Sequence, residues 1–200
     1  MIRRKSSLKV KNPKEKTAKI AKTILKNVDA YKYLAEGDEG EIFYFRISKS
    51  INIGDFKLKP GEYVLKIFDR PISWEKLDYY NVLSSWKLIP TIYIKNSDFL
   101  IMKYIKATPL SYIIDVKNNT SLSYNQINQK INQLIKKWYK LGFAHGDLNH
   151  SNILIGKNKI YFIDPDMQDL EPMSEYKLKV DAGDLRSISI LLKDKQKRSL

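Results

Sequence analysis

One stretch restricts the fold of this chain more than any other: Gly142-Phe143-Ala144-His145-Gly146-Asp147-Leu148-Asn149-His150-Ser151-Asn152-Ile153-Leu154-Ile155, followed after a short turn by Ile160-Tyr161-Phe162-Ile163-Asp164. It reads as a loop bearing His, Asp and Asn, then a tight strand pair, Ile153 to Gly156 and Ile160 to Ile163, turning at Lys157-Asn158. The hairpin delivers Asp164 beside Asp147 and Asn152. Two carboxylates and an amide converging on one spot suit phosphoryl transfer, where the protein holds metal ions on nucleotide phosphates and orients the attacking hydroxyl. Asp147 would accept or orient the hydroxyl proton, while Asn152 and Asp164 offer the hard oxygen ligands that Mg²⁺ takes. The plain alternative is an Asp/Asn-rich turn whose side chains bond their own backbone.

The spacing His-x-Asp-x-x-x-x-Asn, with Ile-Asp at the end of the next hairpin, resembles the catalytic loop and metal-binding Asp of the protein-kinase-like superfamily. Other stretches resemble the remaining parts of that pattern in the right order. Ala35-Glu36-Gly37-Asp38-Glu39-Gly40-Glu41-Ile42 is similar to the glycine-rich loop, with Ala35 for the first glycine and Ile42 for the usual valine. Its alternative is an ordinary Gly-containing hairpin turn. In Tyr63-Val64-Leu65-Lys66-Ile67-Phe68 a lysine is embedded in apolar residues, which is costly on a buried strand unless the charge is paired. The resemblance makes Lys66 the phosphate-contacting lysine and Glu75, the one glutamate of the next helix, its partner; an exposed strand face is the alternative reading. Phe99 to Ile105 resembles the strand entering the kinase hinge. Met102 would then back the adenine pocket, and Lys103, Tyr104 and Ile105 would offer backbone groups to the base. His145 and Asp184 would be structural supports, Asp184 resembling the aspartate that bonds the catalytic-loop backbone.

The resemblance implies an α+β, two-lobed kinase-like fold: a five-stranded antiparallel sheet with a helix over residues 30–105, and a reduced, mostly helical lobe over 106–200. Strands are expected at Tyr31–Ala35, Ile42–Ile47, Glu62–Phe68, Leu88–Ile94 and Phe99–Met102. Helices are expected at Trp74–Trp86, along the stripe Ile127, Ile131, Leu134, Ile135, Trp138 and Leu141 stopped by Gly142, and at Asp181–Lys193. Between them Pro165 to Lys179 reads as a short activation-segment-like loop. Several positions depart from the protein-kinase pattern: Gly146 replaces the arginine that reads a phosphorylated loop, Asn149 replaces a lysine, and Asp164-Pro165-Asp166 stands for Asp-Phe-Gly. These departures resemble the compact atypical branch, including RIO-type and lipopolysaccharide (Kdo) kinases. The implied activity is ATP- and Mg²⁺-dependent transfer, with Mn²⁺ as a substitute metal, to a hydroxyl of a protein or small molecule. A minimal serine/threonine protein kinase ranks first, a sugar or small-molecule kinase second, and a pseudokinase-like binding module third.

Composition bounds the rest. With 200 residues, 43% of them hydrophobic, the chain can bury a core, and no apolar run approaches the roughly 18 residues that span a bilayer. Absence of cysteine excludes disulfides and thiolate chemistry. The N-terminus lacks the apolar stretch of a signal peptide, so a cytoplasmic location is expected, with a host-cell location for a secreted or viral protein left open. Residues 1–29 form a basic arm with an amphipathic helix: ten Lys/Arg between Met1 and Val28 face one acid, Glu15, out of a total net charge of +14. Such an arm would seek a polyanion, either nucleic acid or an anionic membrane surface, or else be a solvated tail.

Overall fold

The computed structural model describes residues 15–37, 39–115, 120–166 and 172–197. The chain divides into two compact units, with boundaries between Asp78 and Tyr79, Pro90 and Thr91, and Tyr104 and Ile105. The architecture is α+β. Most of the basic arm, residues 1–14, and Asp38 of the glycine loop lie outside the described residues.

The first unit begins with helix α1 (Glu15–Leu25), whose Ala21, Ile24 and Leu25 recur at helical spacing and are buried. They cover one face of a five-stranded antiparallel sheet built from β1 (Ala30–Gly37), β2 (Gly40–Ile47), β5 (Gly61–Phe68), β7 (Phe99–Lys103) and β6 (Ile92–Lys95), in the order β1-β2-β5-β7-β6. Phe43, Phe45, Ile47, Leu65, Ile67, Ile94 and Ile101 complete that core. A separate two-stranded ribbon, β3 (Ile51–Ile53) with β4 (Phe56–Leu58), turns at Gly54-Asp55. Gly54 takes φ 56°, the left-handed conformation that such a two-residue turn requires. The expected strand Leu88–Ile94 is shorter than the apolar run suggests. Pro90 cannot donate to a ladder, so β6 starts beyond it, while Leu88 and Ile89 are buried outside any strand.

In the second unit, the long helix α4 (Tyr124–Lys140) starts at a capping box, with Ser123 and Gln126 each bonding the other's backbone amide. Ile127, Ile131, Ile135 and Trp138 are buried on one stripe. Gly142, at φ 79°, turns the chain out of the helix and into the loop. Strands β9 (Ile153–Ile155) and β10 (Ile160–Phe162) form the expected hairpin, and β8 (Thr108–Pro109) adds a third strand beside β9. The short helix α3 (Leu110–Asp115) follows β8. Helix α5 spans Glu175–Lys197 and so starts six residues earlier than the apolar periodicity indicates. Ser174 is the reason: its Oγ accepts the Lys177 amide at 3.3 Å, a cap that converts the end of the supposed loop into helix. Helix α2 (Trp74–Ser85), capped by Ser73, runs across the unit boundary after Asp78.

Candidate active site

The loop of the second unit is held by satisfying its backbone groups one after another. Ala144 donates its amide to the Pro172 carbonyl (2.7 Å), and the Ala144 carbonyl accepts from the Tyr79 hydroxyl (3.5 Å). The amides of His145 and Gly146 donate to the two oxygens of Asp181, at 2.8 and 2.9 Å, while the His145 carbonyl accepts from the Asp166 amide at 2.9 Å. Asp181 is fully buried, and burial pushes its carboxyl up from the usual range despite those bonds.

His145 is also fully buried, against Trp138 and Phe162 with ring centroids 5.2 and 5.7 Å away. Desolvation lowers its pKa to about 4, so the ring is neutral near pH 7. A neutral ring can do both things the geometry asks of it. Nε2 donates to the Ile163 carbonyl (2.9 Å), and Nδ1 accepts from the Asp147 amide (3.3 Å). His145 thus clamps the residues on both sides of Asp164 through its ring and its carbonyl. Asp164 itself sits at φ 57°, a conformation that costs a non-glycine residue on the order of 1 kcal/mol and persists only where the surroundings impose it.

Between the buried Gly146 and Leu148, Asp147 projects to solvent. Both of its oxygens are held by amides: Oδ1 accepts from Asn149 Nδ2 at 2.8 Å and Oδ2 from Asn152 Nδ2 at 2.8 Å. Asn152 Nδ2 also donates to the Asp147 carbonyl, at 3.0 Å. With the nitrogen so engaged, the side-chain oxygen of Asn152 is the atom that remains to serve as an acceptor or ligand. Asn149 in turn accepts the amides of Ser151 and Asn152, which closes the turn. Asp184 touches the same loop three residues further on, where its carboxylate takes the Leu148 amide, and burial raises its pKa. The amides of His145 and Gly146 go to Asp181 instead, a residue that the motif-based expectation passed over.

The first unit carries the other set of residues. Lys66 on β5 is 4% exposed, pairs in register with Ile42 and Leu100, and places its ammonium 3.0 Å from Glu39 Oε2. A strand lysine this deeply buried is not an exposed-face residue. Its carboxylate partner comes from the tip of the glycine hairpin rather than from α2: Glu75 is exposed in the first turn of that helix, where a hydrogen bond with Ser73 lowers its pKa. Glu75 therefore serves the helix N-terminus. Gly37 and Gly40 pair across the hairpin, Ala35 lies opposite Ile42, and the Asp69 amide donates to the Glu39 carbonyl (2.9 Å). Gly40 is required by close approach, because a Cβ there would lie 1.9 Å from the Ile67 carbonyl oxygen. Met102 lies opposite Val64 on β7. The amides of Lys103 and Tyr104 donate to the carbonyls of Thr91 and Glu62, so those two amides are not what a base would meet.

Among the described residues no cluster of three or more acidic or histidine ligands occurs. The RIO domain family model matches residues 76–196. This chain belongs to the RIO domain family. Over 151 residues it is 26% identical to a protein of Methanosarcina barkeri named probable bifunctional tRNA threonylcarbamoyladenosine biosynthesis protein, covering 73% of this chain and 24% of that protein. A protein of the same name from Methanosarcina mazei is 31% identical over 75 residues, covering 38% of this chain and 12% of the relative. The chain thus spans a quarter or less of the curated relatives it matches.

RIO domains are kinase-like and bind ATP with Mg²⁺. In this one the structure gathers His145, Asp147, Asn152 and Asp164 about one loop, and Lys66 with the glycine hairpin in the other unit. Three residues escape a motif reading: Glu39, Asn149 and Asp181. Asn149 carried a signal, since Asn-x-Ser-Asn is turn chemistry. Glu39 and Asp181 carried none, because their partners lie 27 and 36 residues away.

Proposed function

We propose that this RIO domain transfers the γ-phosphoryl group of ATP to a hydroxyl, with a serine or threonine of a protein as the first-ranked acceptor. The observation that carries the reading is the Asp147 carboxylate, exposed at the surface yet fixed at both oxygens by Asn149 and Asn152. A carboxylate so oriented can align an acceptor hydroxyl and take its proton as the phosphorus–oxygen bond forms. Asn152 and Asp164 are the residues that would hold Mg²⁺, and the clamp of His145 on either side of Asp164 keeps that carboxylate placed. Mg·ATP, when bound, supplies the phosphoryl donor and the positive charge that offsets charge developing on the equatorial oxygens. Lys66 would neutralise phosphate oxygens from the first unit, with Glu39 holding its ammonium, while Ala35, Gly37, Gly40 and Ile42 line the phosphate side and Met102 to Ile105 the base side. The names of the relatives make tRNA modification the proposed setting for this activity.

The test is an acceptor panel. Purified chain with γ-labelled ATP and Mg²⁺ is offered mixed protein, sugar, lipid and tRNA acceptors, with Mn²⁺ as a parallel arm. Label on a protein hydroxyl supports the first-ranked acceptor, and label on a sugar alone moves the assignment to small-molecule kinase. No label anywhere, and none released as phosphate, would overturn the reading.

A further inference from the structure

Lys177 is fully buried, yet none of the chemistry above uses it. It lies one turn before Asp181 on the same face of α5, so a cation and an anion approach the segment Ala144–Gly146 side by side. Its stem occupies the space above Gly146. A Cβ at that position would lie 2.8 Å from Lys177 Cγ and 2.9 Å from Asp166 Cβ. Gly146 also takes φ 80°, so this glycine is fixed twice over, by its backbone and by what packs on it. The Lys177 ammonium stands 5.3 Å from the centre of the Tyr79 ring, whose hydroxyl donates to the Ala144 carbonyl. A buried ammonium costs several kcal/mol unless opposite charge lies near it. Acids are what this region supplies: Asp166 flanks the same point above Gly146, and Asp164 and Asp166 both act on the buried His145.

We propose that Lys177 is a positioning residue for phosphoryl transfer: its stem fills the face of Gly146, and its buried charge steadies the turn from Asp164 to Asp166 against the Ala144–Gly146 segment. The lysine delivers from α5 a cation to the place where the loop itself has none. This inference rests on the phosphotransferase reading for its kinetic consequence, and its structural half stands apart from activity.

Lys177→Met tests it, because methionine keeps the stem and removes the charge. With wild-type turnover established first, the variant should lose at least about tenfold in kcat, the scale of one misplaced catalytic contact, while KM for ATP stays within about threefold. Thermal stability should fall, since removing one partner of a buried charge arrangement leaves the other uncompensated, so kcat is read well below the melting temperature of each variant. Hydrogen exchange, read by mass spectrometry without nucleotide, should quicken at the amides of His145, Gly146 and Asp166 and nowhere else. Unchanged kcat with unchanged exchange would overturn the proposal, and so would a loss of kcat that merely tracks global unfolding in both Lys177→Met and Lys177→Gln. A wild-type chain that turns over no ATP would defeat the phosphotransferase reading instead, with the exchange result still deciding the positioning role.

Discussion

The loop from Ala144 to Asn152 and the hairpin from Ala35 to Ile42 carry the two sets of residues proposed for phosphoryl transfer, and they are held in different ways. In the loop, buried groups take up the backbone from Ala144 to Gly146, a neutral histidine clamps the segment beyond, and the Asp147 carboxylate is turned outward. In the hairpin, the sheet register fixes the backbone, and Glu39 at the tip is ion-paired with Lys66. The loop is therefore preorganised in detail, whereas at the hairpin tip the ion pair with Lys66 is made by a glutamate that is itself partly exposed. Preorganised charge is worth most in catalysis because it needs no rearrangement when the transition state forms. Substitutions in the loop should accordingly cost turnover, while those at the hairpin tip should cost less and act through Lys66.

The largest effects are expected at the loop. Asp147→Asn and Asp164→Asn should each lower phosphotransfer by about a thousandfold or more, with the melting temperature preserved because neither side chain is fully buried. Asp164→Asn should also weaken Mg²⁺-dependent nucleotide binding, as calorimetry would read. Lys66→Ala comes next, at roughly a hundred- to a thousandfold in turnover, the scale of losing one fixed charge on the reacting group. Parity between Lys66→Ala and wild type would remove the first unit from the chemistry.

The histidine clamp can be tested through pH. The His145 pKa falls from 6.5 unfolded to about 4 folded, so the unfolded chain takes up a proton first as the solution is acidified. His145 therefore contributes stability that is present above about pH 6.5 and is lost on the way down to about 4, to a total of about 3 kcal/mol. Asp181 and Asp184, whose carboxyls burial raises, protonate first in the folded state and so slope the other way. Comparing denaturant unfolding of wild type with His145→Asn across that window isolates the histidine. Equal pH slopes for the two would mean the ring is not held neutral by the fold.

The smallest expected effect sharpens the comparison most. A hydrogen bond to a buried charge contributes about 1.5 to 3 kcal/mol, so Glu39→Gln should cost turnover roughly tenfold or more. Glu75→Gln should stay within about twofold, the exposed helix terminus being the only thing it changes. The reverse order would return the lysine's partner to α2.

What was legible in the sequence follows the same division. Asp147 and Asn152 meet within one loop, and one tight hairpin brings the residue before Asp164 back to the Asn152 carbonyl, so that much can be read from local spacing. The α4 stripe and its glycine stop are legible for the same reason. Pairings across the chain are not, because nothing local marks Glu39 rather than Glu75 as the partner of Lys66. Asp181 and Asp184 are one helical turn apart and share a face of α5, so periodicity could not choose between them, and both in fact meet the loop. The β3–β4 ribbon had a readable signal in Ile-Asn-Ile-Gly-Asp-Phe-Lys-Leu, alternating residues about a Gly-Asp turn. The early start of α5 was hidden behind a single capping serine.

The claim on which the rest depends is that the outward carboxylate of the loop carries phosphoryl transfer. It is tested most directly by a single-turnover transfer from γ-labelled ATP, with Mg²⁺, in wild type and Asp147→Asn, alongside nucleotide affinity for both. The account predicts transfer by the wild type and its loss in the variant, with affinity unchanged within about threefold, since Asp147 acts on the acceptor rather than on the nucleotide. Transfer by Asp147→Asn at the wild-type rate would contradict it.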